Sequence, residues 1–169
     1  PLLITLEGKY DSTTGAILAN TADAPNNRKD YIVAGTLQGL LHMVDQSTGK
    51  EAFAFLPNEI LQDTARRDAL LDVSNSQVST TQPYYGMDAP WASWVEYKLN
   101  TTSSKFEAST ANIYGGMRMG GSSYYGLNVK DPTDPKFLFQ IDPVSGTIKS
   151  ATSAANTTTA NAAIQAMGQ

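Results

Sequence analysis

The sequence predicts an all-β chain: part of a β-propeller, about two blades of antiparallel strands, with one short helical insertion. Three observations lead there. Residues Tyr31–Phe55 parse as three short apolar runs, Tyr31–Ala34, Leu40–Val44 and Ala52–Leu56, separated by glycine-bearing turns. Runs that pair in chain order make a meander, the centre of a propeller blade. The same order of strand, Gly, strand, Asp turn and Phe strand returns over 113–141. A turn of the form Asp-x-x-x-Gly also recurs, at Asp11–Gly15, Asp45–Gly49 and Asp142–Gly146, which suggests a repeated hairpin.

Taken in order, Leu2–Leu6 is an apolar strand that leads into the Asp11 turn. Residues 19–30 are a polar loop without periodicity. In the central unit, Gly35, Gly39 and Gly49 are expected to supply the positive φ that tight turns demand, and Asp45 to fold its carboxylate onto the N–H groups of its own turn. Pro57 stops the third strand. A helix is expected over 58–71, with Asn58 as N-cap, Glu59 in the first turn, and Ile60, Leu61, Thr64, Leu70 and Leu71 as a partial apolar stripe. Residues 72–82 are polar and rich in Ser and Thr. Trp91–Leu99 alternates as a strand, with Trp91, Ser93, Val95, Tyr97 and Leu99 on one face.

Phe106–Tyr114 is a further strand. After it the central unit repeats: Ile113–Gly116 matches Ile32–Gly35, Tyr124–Val129 matches Gly39–Val44, the Asp131-Pro132 turn replaces the Asp45 turn, and Phe137–Phe139 replaces Phe53–Phe55. The folded part is thus expected to span 1–146, with blade-like units over about 31–56 and 113–141 and the helical insertion at about 58–71. Beyond it, 147–169 is Ser, Thr, Ala and Asn, a flexible segment between blades. The chain enters a strand at Pro1 and stops at Gln169 before another begins. A closed propeller needs at least about four blades, so a fragment of a larger protein is expected.

Composition narrows the function classes. The chain has 169 residues, 41% hydrophobic and 17% charged, with a formal net charge of −4 and a pI of about 4.8. That balance argues against nucleic acid or an anionic membrane as partner. Cysteine is absent, which removes disulfides, thiolate metal sites and cysteine nucleophiles. No stretch is long and apolar enough to span a membrane.

Individual motifs read as structure. Gly115–Gly121 is glycine-rich but lacks the Lys-Ser/Thr ending of a phosphate loop, so an inter-strand hairpin is expected. His42 is the only histidine and is expected to hydrogen-bond within its blade. The acidic loops Asp23–Asp30 and Asp131–Asp134 lack the spacing of an EF-hand, so turn capping is expected there. Trp91, Trp94, Tyr84, Tyr85, Tyr114, Tyr124 and Tyr125 could form a stacking platform for a sugar or quinone. Alternating strand positions instead favour sheet packing. Arg66-Arg67-Asp68 lacks the glycine of an Arg-Gly-Asp adhesion tripeptide.

These residues resemble a known family. The run from Gly35 through Gly39, His42, Asp45 and Gly49 to Pro57 resembles a signature blade of the PilC/PilY family, the tip-associated adhesins and assembly factors of type IV pili. Tyr85–Pro90, with Asp88 and Pro90, is similar to that family's Val-Asp-Gly-Ser-Pro element, with Ala89 in place of Gly-Ser. Gly115-Gly116, followed by Gly120–Pro132 with Tyr124, Tyr125, Asp131 and Pro132, resembles its Tyr-Tyr-Ala-Leu-Asp-Val-Thr-Asp-Pro stretch. The match covers roughly 28–141.

The resemblance implies a C-terminal propeller of quinoprotein-like form, no catalysis, and a role in pilus assembly, twitching motility and surface attachment. It implies pilus components such as minor pilins, or host or abiotic surfaces, as partners. The location it implies is the bacterial cell surface or pilus tip, reached through the periplasm, in association with the outer membrane. No cofactor is expected here. The family's calcium-binding, EF-hand-like loop has no counterpart in this chain, so calcium is left to other parts of a longer protein.

Two other readings stand beside this one. A dehydrogenase dependent on pyrroloquinoline quinone would use a related propeller, with Asp88 and Trp91 as the nearest candidates for its catalytic Asp and stacking Trp. An outer-membrane assembly scaffold would share the fold and differ only in partner. Quinone absorbance in the purified protein separates the enzyme from the others.

Overall fold

A computed structural model describes residues 1–71 and 85–151. Its strands are β1 (Leu2–Lys9), β2 (Arg28–Gly35), β3 (Leu41–Asp45), β4 (Glu51–Phe55), β5 (Trp91–Asn100), β6 (Lys105–Gly116), β7 (Tyr124–Asn128), β8 (Lys136–Asp142) and β9 (Thr147–Ser150). All pairings are antiparallel, and the strands form one curled sheet. Two runs pair in chain order, β1-β2-β3-β4 and β5-β6-β7-β8, with β9 added at the end of the second. Each run is a four-stranded meander, one strand more than the repeat legible in the sequence. The extra strands are β1 and β5, which pair along the outer sides of β2 and β6.

The repeated residues occupy equivalent places. Gly35 ends β2 and Gly116 ends β6, the second strands of the two units. The Asp45 and Asp131 turns each join the third strand to the fourth, and the paired phenylalanines lie in β4 and β8. The units are joined edge to edge where β1 meets β6, through Glu7–Glu107, Gly8–Phe106 and Lys9–Lys105. Tyr10 donates its N–H to the Ser104 carbonyl at 3.1 Å. By alternation Gly8 also faces β6, which leaves Glu7–Glu107 a closely spaced pair without mutual hydrogen bonds.

Period-2 alternation gives each unit one buried face. Ile4, Val33, Leu41 and Met43 from the first face Ala111, Ile113, Tyr125 and Leu127 from the second, all within one apolar cluster. Phe55 meets Tyr125 edge to face across the seam, with ring centroids 5.4 Å apart. Ile60, Met87 and Met117 close one end of this core.

Several expectations change. The expected helix over 58–71 is two helices, α1 (Asn58–Gln62) and α2 (Thr64–Leu71). Asp63 breaks it: its backbone is extended, and its carboxylate accepts the N–H of Arg66 at 3.0 Å, so it starts a second helix rather than continuing the first. Residue Pro57, not Asn58, takes the N-cap place of α1, and no side chain caps it. Gly35 does not have positive φ; Gly39 and Gly49 do. The folded part runs on past Gly146, because Thr147–Ser150 pairs with β8 as β9. The polar stretch 72–82, Tyr84, and the rest of the segment expected to be flexible (152–169) lie outside the described residues. Of the aromatics expected to pack in the sheet, Trp94 and Tyr124 are 60% and 58% exposed, because both sit on the outer face of the second unit. On that face Tyr114 stacks on Phe139 at 6.0 Å.

Candidate functional site

Three connections converge at one end of the sheet: the β2–β3 turn, residues 85–90 before β5, and the β6–β7 loop. Glycine makes the convergence possible. A side chain on Gly86 would lie 2.3 Å from the Gly39 nitrogen and 2.6 Å from the Leu37 carbonyl oxygen. One on Gly120 would lie 1.8 Å from the Gly86 oxygen. Backbone therefore stacks on backbone through three layers, closer than any Cβ allows. Gly35 is needed for the same reason: a Cβ there would lie 2.1 Å from the Met87 oxygen.

Polar groups lock the layers. The Thr36 carbonyl accepts N–H groups from Gly39 at 3.1 Å and Met87 at 2.9 Å. Asp88 reaches across to the β6–β7 loop, where its carboxylate accepts the N–H groups of Met119 at 3.1 Å and Gly120 at 3.2 Å. Its other oxygen faces the largely exposed Arg118 at 3.4 Å. From α2, Arg66 donates to the Gly120 carbonyl at 2.6 Å and lies 3.8 Å from Glu59. Glu59 in turn accepts the Tyr125 hydroxyl at 3.3 Å. Burial, reinforced by the Glu59 charge, pushes the Tyr125 phenol well above its ordinary range, so it stays a donor. Asp88→Ala is expected to cost about 1–2 kcal/mol, because the N–H groups of Met119 and Gly120 lose their shared carboxylate acceptor. Arg118→Ala should cost less than about 1 kcal/mol, since Arg118 itself is largely exposed; thermal unfolding of both variants checks the contrast.

The residues singled out in the sequence divide between the two ends. Gly35, Gly39 and Asp88 meet in this junction. Pro90 is exposed at the entry to β5, Gly115 lies flat under the Trp91 ring (a Cβ would be 2.3 Å from its Cδ2), and Gly116 lies beside Tyr124. Tyr125 is buried in the core and touches the junction through Glu59. His42, Asp45, Gly49, Asp131 and Pro132 are elsewhere. His42 Nδ1 pairs with Glu51 of β4 at 2.5 Å, on the outer face of the first unit. The other four belong to the turns at the opposite end of the strands. The parts played by Glu59, Arg66, Gly86 and Gly120 were not legible. Their partners are 31 or more residues away in several cases, and no local spacing signals such contacts.

The Asp turns work as expected. Those of Asp45 and Asp131 lie at the opposite end of the strands, and that of Asp142 lies at the junction end, where β8 finishes beside the β6–β7 loop. Asp45 accepts the N–H groups of Ser47 and Thr48 at 2.8 and 2.9 Å and the Ser47 hydroxyl at 2.6 Å. Asp131 accepts from Thr133 through N–H and hydroxyl, at 3.0 and 2.7 Å. Asp142 accepts the Ser145 hydroxyl at 2.6 Å, the Ser122 hydroxyl at 2.9 Å and the Val144 N–H at 3.0 Å. Hydroxyl and N–H donors favour the carboxylate form and hold all three, with Asp11, below the usual Asp value of 3.8. A lowered folded pKa adds stability above the unfolded value and loses it as pH falls through the folded one. The melting temperature should therefore be flat from about pH 7 to 5 and fall below about pH 4. Asp142→Asn should lower it at neutral pH and shrink the acid-induced drop.

A hollow of about 190 Å³ beside β1 and β2 is lined by Glu7, Arg28, Lys29, Asp30, Asp45 and Lys105, among others. Its charges are already committed. Buried Asp30 accepts from Thr5 and Arg28, each at 2.7 Å, Glu7 pairs with Lys105 and lies 3.7 Å from Lys29, and Asp45 serves its turn. The Lys105 hydrogen bond holds the Glu7 carboxyl below its usual range. Two carboxylates held by three cations, with the third spent on its own turn, give ion-pair and turn structure rather than a free acid or base. Among the described residues no group of His, Cys, Asp or Glu is gathered to hold a metal ion, and no helix is long and apolar enough to cross a membrane.

No protein-family model matches the chain, and no curated protein matches it. Among solved structures, the crystal structure of the Pseudomonas aeruginosa PilY1 C-terminal domain is similar, at 23% sequence identity and a TM-score of 0.40. The similarity covers 72% of this chain and 20% of that one, so the chain spans about a fifth of that domain's length.

Proposed function

We propose that the chain is a non-catalytic β-propeller module of a type IV pilus biogenesis factor or tip adhesin, supporting pilus assembly, twitching motility and surface attachment. One observation carries the reading. The residues that resemble the PilC/PilY signature act as joints: Gly35, Gly39 and Asp88 hold the junction, Gly115 admits the Trp91 ring, and Asp45 and Asp131 cap turns. Residues used as joints support a scaffold that presents surface, not a reacting centre. Pilus components such as minor pilins, and host or abiotic surfaces, are its partners in this reading, with the cell surface or pilus tip as its location.

The test is a chromosomal deletion in the source bacterium, scored for surface pili by electron microscopy and for twitching zones on agar. The reading expects loss of both, restored by the wild-type gene. A deletion strain with normal piliation and motility would overturn it.

A further inference from the structure

We propose that the free edge of β5 pairs with the same edge of a second copy of this chain, forming a two-fold antiparallel dimer centred on Tyr97. β5 is ten residues long, and among the described residues it pairs along one side only, with β6. The Glu96 carbonyl accepts the Ser109 hydroxyl of β6 at 3.2 Å, so the backbone groups of Glu96 face β6. Strand alternation then turns the N–H and C=O groups of Ser93, Val95, Tyr97 and Leu99 toward the open side. The strand contains no proline, and a long edge of this kind is a template for another strand.

Charge selects the partner and the register. Glu96 and Lys98 lie on the same face of β5, and neither makes an ion pair among the described residues. With the axis on Tyr97, the two Tyr97 residues exchange backbone hydrogen bonds, as do Val95 and Leu99 of opposite copies. Glu96 of each copy then lies opposite Lys98 of the other, in the closely spaced pairs where side chains meet best. The symmetry makes each contact twice. Moving the axis to Val95 or Leu99 leaves both charges without an opposite partner. Trp94, exposed on the same face, comes to lie diagonal to Lys98 of the second copy, within reach of its ammonium group.

The experiment is sedimentation equilibrium of the 169-residue chain at low salt, up to about 1 mM. The wild type should reach a dimer. Glu96→Lys alone, or Lys98→Glu alone, places like charges opposite each other twice and should weaken the dimer by about tenfold or more. Mixing the two single variants should restore it as a heterodimer, and the chain carrying both exchanges should dimerise like the wild type. Far-UV circular dichroism verifies that each variant remains folded. A wild type that stays monomeric, or a dimer indifferent to the exchanges, would overturn the proposal.

Discussion

Gly86→Ala is expected to destabilise the fold by about 3 kcal/mol, and to lower the melting temperature by about 6–12 °C. The added methyl would land 2.3 Å from the Gly39 nitrogen and 2.6 Å from both the Gly39 Cα and the Leu37 oxygen. All three are backbone atoms, so no side chain can swing aside, and the junction must open. Opening it loosens Asp88 from Gly120 and Met87 from Thr36 together. Gly49→Ala is the control. Gly49 has φ of +69° but nothing within 4 Å of a new Cβ, so only the backbone cost of about 1 kcal/mol applies. Comparable losses in the two variants would contradict the layered junction.

The second large effect lies at the seam between the units. Tyr125 is 2% exposed, touches Phe55 of the opposite meander, and donates to Glu59. Tyr125→Ala should cost about 3–5 kcal/mol, as the transfer and cavity terms add. Tyr125→Phe keeps the ring and loses one hydrogen bond, about 1 kcal/mol. Urea denaturation of both variants separates ring from hydroxyl. A Phe variant as unstable as the Ala variant would show that the hydroxyl, not the packing of one unit on the other, dominates.

The elements were largely legible and their mutual placement was not. Short apolar runs bounded by turn residues located β1 through β8, with period-2 alternation marking β4 and β5. Asp turns were readable because each Asp caps N–H groups two or three residues away, a purely local interaction. The break at Asp63 was missed because an Asp inside a helical stripe reads equally as a surface residue. Assigning positive φ to Gly35 was wrong because glycine serves two needs, conformation and space; sequence does not distinguish them. Space here is set by Met87, more than fifty residues away. β9 was missed because Thr147–Ser150 lies partly exposed at the end of the sheet and carries one apolar residue, Ile148.

The central claim is that two four-stranded meanders share one sheet through β1 and β6. Because the chain has no cysteine, one introduced pair reports on it without ambiguity. Glu7→Cys with Glu107→Cys joins residues that face each other across that seam, in a closely spaced pair whose separation suits a disulfide. The account predicts a quantitative intramolecular disulfide under mild oxidation, a higher melting temperature, and no such crosslink when Glu7→Cys is combined with Ser109→Cys. A native chain that leaves the Glu7–Glu107 pair reduced, or that links the shifted pair instead, would contradict it.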